Sequence, residues 1–137
     1  MEFKQEIYLA ADTILIAEEE VLLIKRKNPP FQGMWAFPGG FVDEGEDLAE
    51  AASRELKEET CVELNPERLS QFMTYGKPCR DPRFHTVSVV YSAYVNRKPK
   101  TSATDDAAEV QWFSLVNLPK MAFDHKEILE EFLDSET

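Results

Sequence analysis

Glu55, Glu58 and Glu59 fall within five consecutive residues of the stretch SRELKEET, residues 53–60. On a helix, at about 100° per residue, Glu55 and Glu59 share a face with Leu48, Ala51 and Ala52. Glu58 lies at its margin, and Glu50, Ser53 and Lys57 point away. The face that begins apolar, and should bury itself, therefore becomes a carboxylate face one to two turns later. Two glutamates at i,i+4 repel by about 0.2–0.5 kcal/mol, and charged side chains are seldom buried without a partner. Arg54 reaches Glu50 or Glu58, while Lys57 faces the other way, so basic side chains alone do not neutralise the cluster. A solvated acidic helix surface is the plain alternative, and alignment with the buried stripe argues against it. A divalent cation removes the conflict. Hard oxygen ligands select magnesium, manganese or calcium over zinc, and a magnesium site keeps positions for water and substrate phosphate.

The elements that must position these carboxylates are legible in outline. IYLAADTILIA (7–17) and VLLIKR (21–26) are β-branched and apolar, separated by a polar turn, and read as paired strands. A loop rich in proline and glycine follows at 28–40, where backbone can approach a ligand closely. Strong helix formers run over 43–60, with no glycine after Gly45. LSQFMTYG (69–76), HTVSVVYSAYV (85–95) and EVQWFSL (109–115) read as strands, and DHKEILEEFL as a closing amphipathic helix with Ile128, Leu129, Phe132 and Leu133 on one side. Strands, helix, strands and helix in this order predict an α/β (α+β) fold, a mixed sheet with helices packed on it.

At 137 residues and 43% hydrophobic content the chain closes one core and not two, so residues 1–137 are expected to form a single domain. Fifteen basic against 26 acidic residues give a formal charge of −11, which opposes a nucleic-acid or anionic-membrane partner. An anionic substrate must then be held by local cations, whether basic side chains or a bound metal. No run of about 18 apolar residues and no secretory leader pattern is present, which makes the cytoplasm the expected compartment. Cys61 and Cys79 match neither a zinc knuckle nor a disulfide framework.

The spacing is more specific than generic metal binding. Gly40, five residues, Glu46, seven residues, then Arg54-Glu55-Leu56-Lys57-Glu58-Glu59 and finally Val62 resembles the signature of the Nudix hydrolase family. The resemblance implies an α/β/α sandwich that hydrolyses a nucleoside diphosphate linked to another group. It makes Glu55, Glu58 and Glu59 metal ligands with the carbonyl of Gly39, Arg54 the residue that orients the glutamates, and Glu46 its support. Magnesium, or manganese, would be the metal. The base that takes the attacking water's proton is, in different members, either the first glutamate, here Glu55, or an acid in the loop before the late strand, here Asp106 with Asp105 as a rival. Cys61 stands where the family has a glycine, at the place of a left-handed helix cap.

The segment YGKPCRDPRFHTVSVVYSAYV (75–95), with AFDHKEIL (122–129), resembles the ADP-ribose pyrophosphatase branch of that family, with Phe84 in place of a glycine. The expected reaction is ADP-ribose to AMP and ribose 5-phosphate. Guanidinium groups suit bidentate phosphate contacts, so Arg80 and Arg83, with Lys25 and Arg26 at a strand end, are the expected substrate-binding residues. His85 is expected to donate a hydrogen bond where its strand begins, and Phe31, Trp35 and Phe37 to pack in the core. The alternatives are another nucleotide substrate (a dinucleoside polyphosphate, NADH or an oxidised nucleoside triphosphate) or a module that binds ADP-ribose without cleaving it. Regulators of that last kind carry a DNA-binding extension and an eroded glutamate set, unlike this chain. Relatives are often homodimers, and the N-terminal strand is the expected edge for pairing.

Overall fold

The computed structural model describes residues 6–136. In chain order the elements are β1 (Tyr8–Ala17), β2 (Glu20–Lys25), β3 (Trp35–Ala36), β4 (Gly39–Phe41), α1 (Leu48–Thr60), a 3₁₀ turn (Pro66–Arg68), β5 (Ser70–Tyr75), β6 (Thr86–Tyr94), β7 (Glu109–Ser114) and α2 (His125–Ser135). β1 pairs in parallel with β6 along nearly its whole length, and the other pairings between these strands are antiparallel, with one isolated parallel bridge from Trp35 to Met121. The sheet is therefore mixed, as expected.

β1 and β2 meet only at their hairpin, through Ile16 with Val21 and Ala17 with Glu20. Beyond it they diverge. β3 returns along β2 and β4 along β1, where Ala11 faces Gly40 and Asp12 faces Gly39. The loop expected at 28–40 thus holds two short strands that plug this gap, and it carries the glycine pair to the middle of the sheet. β1 is bordered by β6 on one side and by β2 and β4 on the other, so it is a central strand. This corrects the expectation of a free N-terminal edge; β5 and β7 flank the sheet instead.

Side chains alternate across a strand, and β1 shows it. Ala11 and Leu15 pack with Leu22, Val89 and the α1 residues Ala51, Ala52 and Leu56, while Ile14 and Ile16 pack with Val90 and the α2 residues Ile128, Leu129 and Phe132. The two helices cover opposite faces, which is the α/β/α sandwich. Among the described residues no helix is long and apolar enough to cross a membrane.

α1 starts later than the expected residue 43. Asp47 caps it, its carboxylate accepting from the amides of Ala49 and Glu50. Residues 43–46 form a turn instead, with Gly45 at φ 81° and the Glu46 carboxylate accepting from the Asp43 amide. At the other end Cys61 takes the left-handed cap at φ 66°, its amide donating to the carbonyl of Lys57. A residue with a Cβ is held there at a cost, and Cys61→Gly is expected to raise stability by about 1 kcal/mol, read as a shift in the urea midpoint. An unchanged or lower midpoint would show that the cap is unstrained.

Candidate active site

Arg54 organises the acidic helix. Its Nε and Nη2 donate to the two carboxylate oxygens of Glu46 at 2.7 and 2.9 Å. Nη1 donates to Glu55 at 2.7 Å and to Glu58 at 3.1 Å, and Nη2 also reaches the Phe41 carbonyl at 3.2 Å. The Glu46 carboxyl is held down to about 2, first by its bond to Arg54. Glu46 sits two turns before Arg54, outside the helix, and is brought back only because 43–46 turns rather than coils.

Glu59 is 7% exposed, and its carboxylate accepts from the Gly39 amide at 2.7 Å. Burial pushes its pKa up to about 8, reinforced by the charges of Glu55, Asp12 and Asp106. Glu55 is raised as well, by burial and against the pull of Arg54. The Thr104 hydroxyl donates to the Glu58 carbonyl, tying the loop before β7 to α1. In that loop the charge of Asp106 acts on both Glu55 and Glu59, whereas the Asp105 carbonyl is engaged by Lys27 Nζ at 3.1 Å.

Glycine is required beside these carboxylates for space. A Cβ on Gly40 would lie 2.5 Å from the Glu55 carboxyl, and one on Gly39 would lie 2.0 Å from Asp12 Oδ1. Among the described residues no three potential ligand side chains converge on one point. Glu55 and Glu58 are turned onto Arg54, and Glu59 onto the Gly39 amide. The donor set nevertheless fits a hard divalent cation: it is all carboxylate oxygen, and a bound cation would favour the charged forms of Glu55 and Glu59 that burial disfavours. To bind the ion, these carboxylates must exchange their present partners for it.

Glu59, Gly39 and Gly40 open onto a cavity of about 200 Å³ on the α2 side of the sheet. At about 30 Å³ per water molecule, that is room for a sugar or a base. Arg26 and Arg83 line it, with Asp12, Phe37, Phe41, Asp81, Thr86, Ser88, Phe123 and His125. Arg26 Nε donates to the Pro30 carbonyl at 2.7 Å and its guanidinium lies over the Phe123 ring. Arg83 is bound to Asp81 through Nε at 3.1 Å and Nη2 at 2.8 Å, and it lies over the rings of Phe84 and Phe41.

Two of the four expected substrate cations lie elsewhere. Lys25 pairs with Glu109 on β7 at 3.0 Å. The Arg80 side chain is 6% exposed and grips both oxygens of Asp124 at 2.8 and 2.9 Å, with Ser88 Oγ at 2.8 Å. Its guanidinium is engaged in joining β6 to the start of α2, which makes it a buried anchor in this structure. Asp124, at that helix start, accordingly makes no capping bond. His85 bonds the Gly76 carbonyl at 2.7 Å just before β6, as expected. Trp35 packs edge-on against Phe113, and Phe31 against Phe123.

Asp12 and His125 are the residues that sequence reasoning passed over. Asp12 sits in the apolar run of β1, and burial raises it to about 7 against the opposing charge of Arg80 and a Ser88 hydrogen bond. His125 is 5% exposed, its Nδ1 accepting from the Phe37 amide at 3.1 Å and its ring stacked on Phe37. A polar residue within a period-2 apolar run was the available signal for Asp12; for His125 it was the histidine inside AFDHKEIL.

Burial pushes His125 down to about 3. An unfolded chain binds this proton near pH 6.5 and the folded chain does not. Stability from this group is therefore complete above that pH and falls as the pH drops towards 3, by at most about 1.4 kcal/mol per pH unit. Urea midpoints at pH 7 and pH 5 should fall more for the native chain than for His125→Asn. Equal falls would mean the ring is charged in the fold.

The NUDIX domain model matches residues 7–132. An ADP-ribose pyrophosphatase of Methanocaldococcus jannaschii is 46% identical over 134 residues, 95% of this chain and 78% of that protein. An ADPR-responsive transcriptional repressor of Acinetobacter baylyi is 36% identical over 82% of this chain, which spans only 46% of the repressor. Among solved structures, the NUDIX domain of a Shewanella oneidensis NrtR complexed with ADP ribose superposes with a TM-score of 0.89 at 32% identity, covering 98% of this chain and 91% of that one. With the Glu46–Arg54–Glu55–Glu58 network and the Gly39–Glu59 contact in place, and the domain model spanning nearly all of it, the chain belongs to the Nudix family.

Proposed function

We propose that the protein is a divalent-metal-dependent pyrophosphohydrolase that cleaves ADP-ribose to AMP and ribose 5-phosphate, with magnesium, or manganese, as the ion. One observation carries this reading: the buried Glu59 carboxylate of α1 lines the same cavity as the guanidinium groups of Arg26 and Arg83. Anion-binding and cation-binding groups thus share one space in a chain whose overall charge would repel a diphosphate. The 46% identical relative named for this activity supports the choice of substrate.

Glu55, Glu58, Glu59 and the Gly39 carbonyl would hold the ion, which when bound neutralises diphosphate oxygens and makes phosphorus more open to attack. Arg54, anchored by Glu46, keeps Glu55 and Glu58 on one side of the helix before the ion arrives. Arg26 and Arg83 take up diphosphate charge from the opposite wall; Arg83 trades its bonds to Asp81 for phosphate oxygens, and Phe41 and Phe84 hold its plane. Asp106, on the loop tied to α1 by Thr104, receives the proton of the attacking water.

Incubation of the purified chain with ADP-ribose and magnesium should yield AMP and ribose 5-phosphate in equal amounts. Chelation should stop the reaction, and added magnesium or manganese should restore it. Cleavage of another nucleotide with ADP-ribose left intact would remove the substrate assignment. The similarity to a transcriptional repressor favours one second reading, a sensor: tight ADP-ribose binding without turnover in magnesium would establish it.

A further inference from the structure

His125 is held in a single chemical state. The Phe37 amide donates to Nδ1, so the ring proton of the neutral imidazole must sit on Nε2. Phe37 stacks at 4.7 Å and 19°, and Phe123 leans on the ring at 5.4 Å, which fixes its plane. Burial keeps it neutral well below physiological pH, although Asp124 lies beside it, because the Asp124 carboxylate is already bound by Arg80.

Nε2 makes no protein hydrogen bond among the described residues. Among the described residues, Nε2 is not one of the fully sealed side-chain polar atoms that lack a partner. It therefore opens onto the cavity that the ring lines. The ring is 95% shielded, fixed in plane and tautomer, and left with one donor facing the space where a ligand would lie. Water can reach this donor through the cavity, and a ligand that displaces the water must supply an acceptor in its place.

The neighbouring wall indicates which acceptor. Asp12, Thr86 and Ser88 line the same cavity. Ser88 Oγ accepts from Arg80 and its hydroxyl serves Asp12, which forms a continuous polar floor from Asp12 to Asp124 beside His125. A carboxylate in that floor repels phosphate, and the two guanidinium groups that suit phosphate are Arg26 and Arg83. A hydroxyl both donates and accepts, so one vicinal pair satisfies an Asp12 oxygen and the His125 Nε2–H together. An adenine edge, with its N6–H2 donor beside the N1 or N7 acceptor, would satisfy the pair as well, and a loss shared by both substrates would reveal it.

We infer that His125 is a specificity-determining residue whose Nε2–H, with the Asp12 carboxylate, reads the hydroxyls of the sugar attached to the far phosphate of the substrate. This rests on the pyrophosphohydrolase reading given above. It assigns the cavity floor to the group that distinguishes one nucleoside diphosphate derivative from another.

The test compares kcat/KM for ADP-ribose with that for the methyl ester of ADP, which has the same nucleotide and diphosphate and no second sugar. His125→Asn keeps an acceptor for the Phe37 amide and removes the distal donor; His125→Gln places an amide N–H near the position of Nε2. The ratio of ADP-ribose to methyl ester should fall roughly tenfold in His125→Asn, mainly through KM, and recover in part in His125→Gln. An equal fall for both substrates in His125→Asn would show a merely structural role, or a contact to the shared nucleotide, and would overturn the inference, as would an unchanged ratio. If the native chain cleaves the methyl ester or another nucleotide and not ADP-ribose, the substrate reading fails instead. Thermal melts of both variants at pH 7 identify any that fail to fold, and the comparison then rests on the folded one.

Discussion

Glu59→Gln should lose on the order of 10³-fold in kcat while the protein remains folded. The amide matches the carboxylate in size, and its oxygen still accepts from the Gly39 amide at the observed 2.7 Å position. What disappears is the charge. In the metal-free protein that charge is a liability, because burial and three neighbouring carboxylates lift Glu59 from 4.5 to about 8. The folded chain therefore holds a proton between those pH values that the unfolded chain releases. With more protons bound in the native state, stability falls as the pH rises from about 4.5 to about 8. The variant lacks this decline, so in a chelator its melting temperature should match the native chain at pH 5 and exceed it at pH 8. Steady-state turnover in magnesium and paired melts in chelator read the two effects separately. Activity near the native level would remove Glu59 from the metal site. A variant less stable at pH 8 would show that its charge is already compensated in the apo fold.

Gly39 and Gly40 are adjacent, and alanine at each should fail in a different way. At Gly39 the new methyl meets Asp12 Oδ1 at 2.0 Å, the Ala11 carbonyl at 2.6 Å and the Asp12 Cα at 2.8 Å. Two of these atoms are backbone of the central strand and cannot move aside, so Gly39→Ala should cost about 3 kcal/mol or more and be visible as a large loss of melting temperature. At Gly40 the three atoms nearest the methyl all belong to the Glu55 carboxyl, at 2.5 to 2.7 Å. That group sits at the end of a flexible side chain and can swing away. Gly40→Ala should therefore keep most of its stability yet lose roughly 10²-fold in turnover, the scale expected when a catalytic group is displaced by about 1 Å. If both variants unfold, or both remain fully active, the close approach of β4 to α1 is not as the structure shows it.

The acidic face of α1 was readable because helical periodicity is local. Ala51, Ala52, Leu56 and Glu59 are buried while Glu50, Lys57 and Glu58 are exposed, close to the reading at about 100° per residue. The strands were readable for the same reason, since β-branched apolar runs of this length have few other fates. The helix start was misread because Asp43 to Gly45 belong to good capping and turn types as well as to an acidic helix, and what decides between them is the demand of Arg54 for Glu46, eight residues away.

Residue type and spacing along the chain thus determined the two helices, the main strands, the carboxylate face and its Nudix signature, because each depends on neighbours within a few residues. Only the tertiary structure decided which charges line the cavity. Arg80 and Arg83 lie three residues apart in one loop, yet the first is sealed against Asp124, 44 positions away, while the second lines the cavity. The polar floor likewise joins β1, β6 and the start of α2, which are remote in sequence. Burial and pairing are properties of the packed chain, and they set both the protonation of Asp12 and His125 and the direction in which each presents itself.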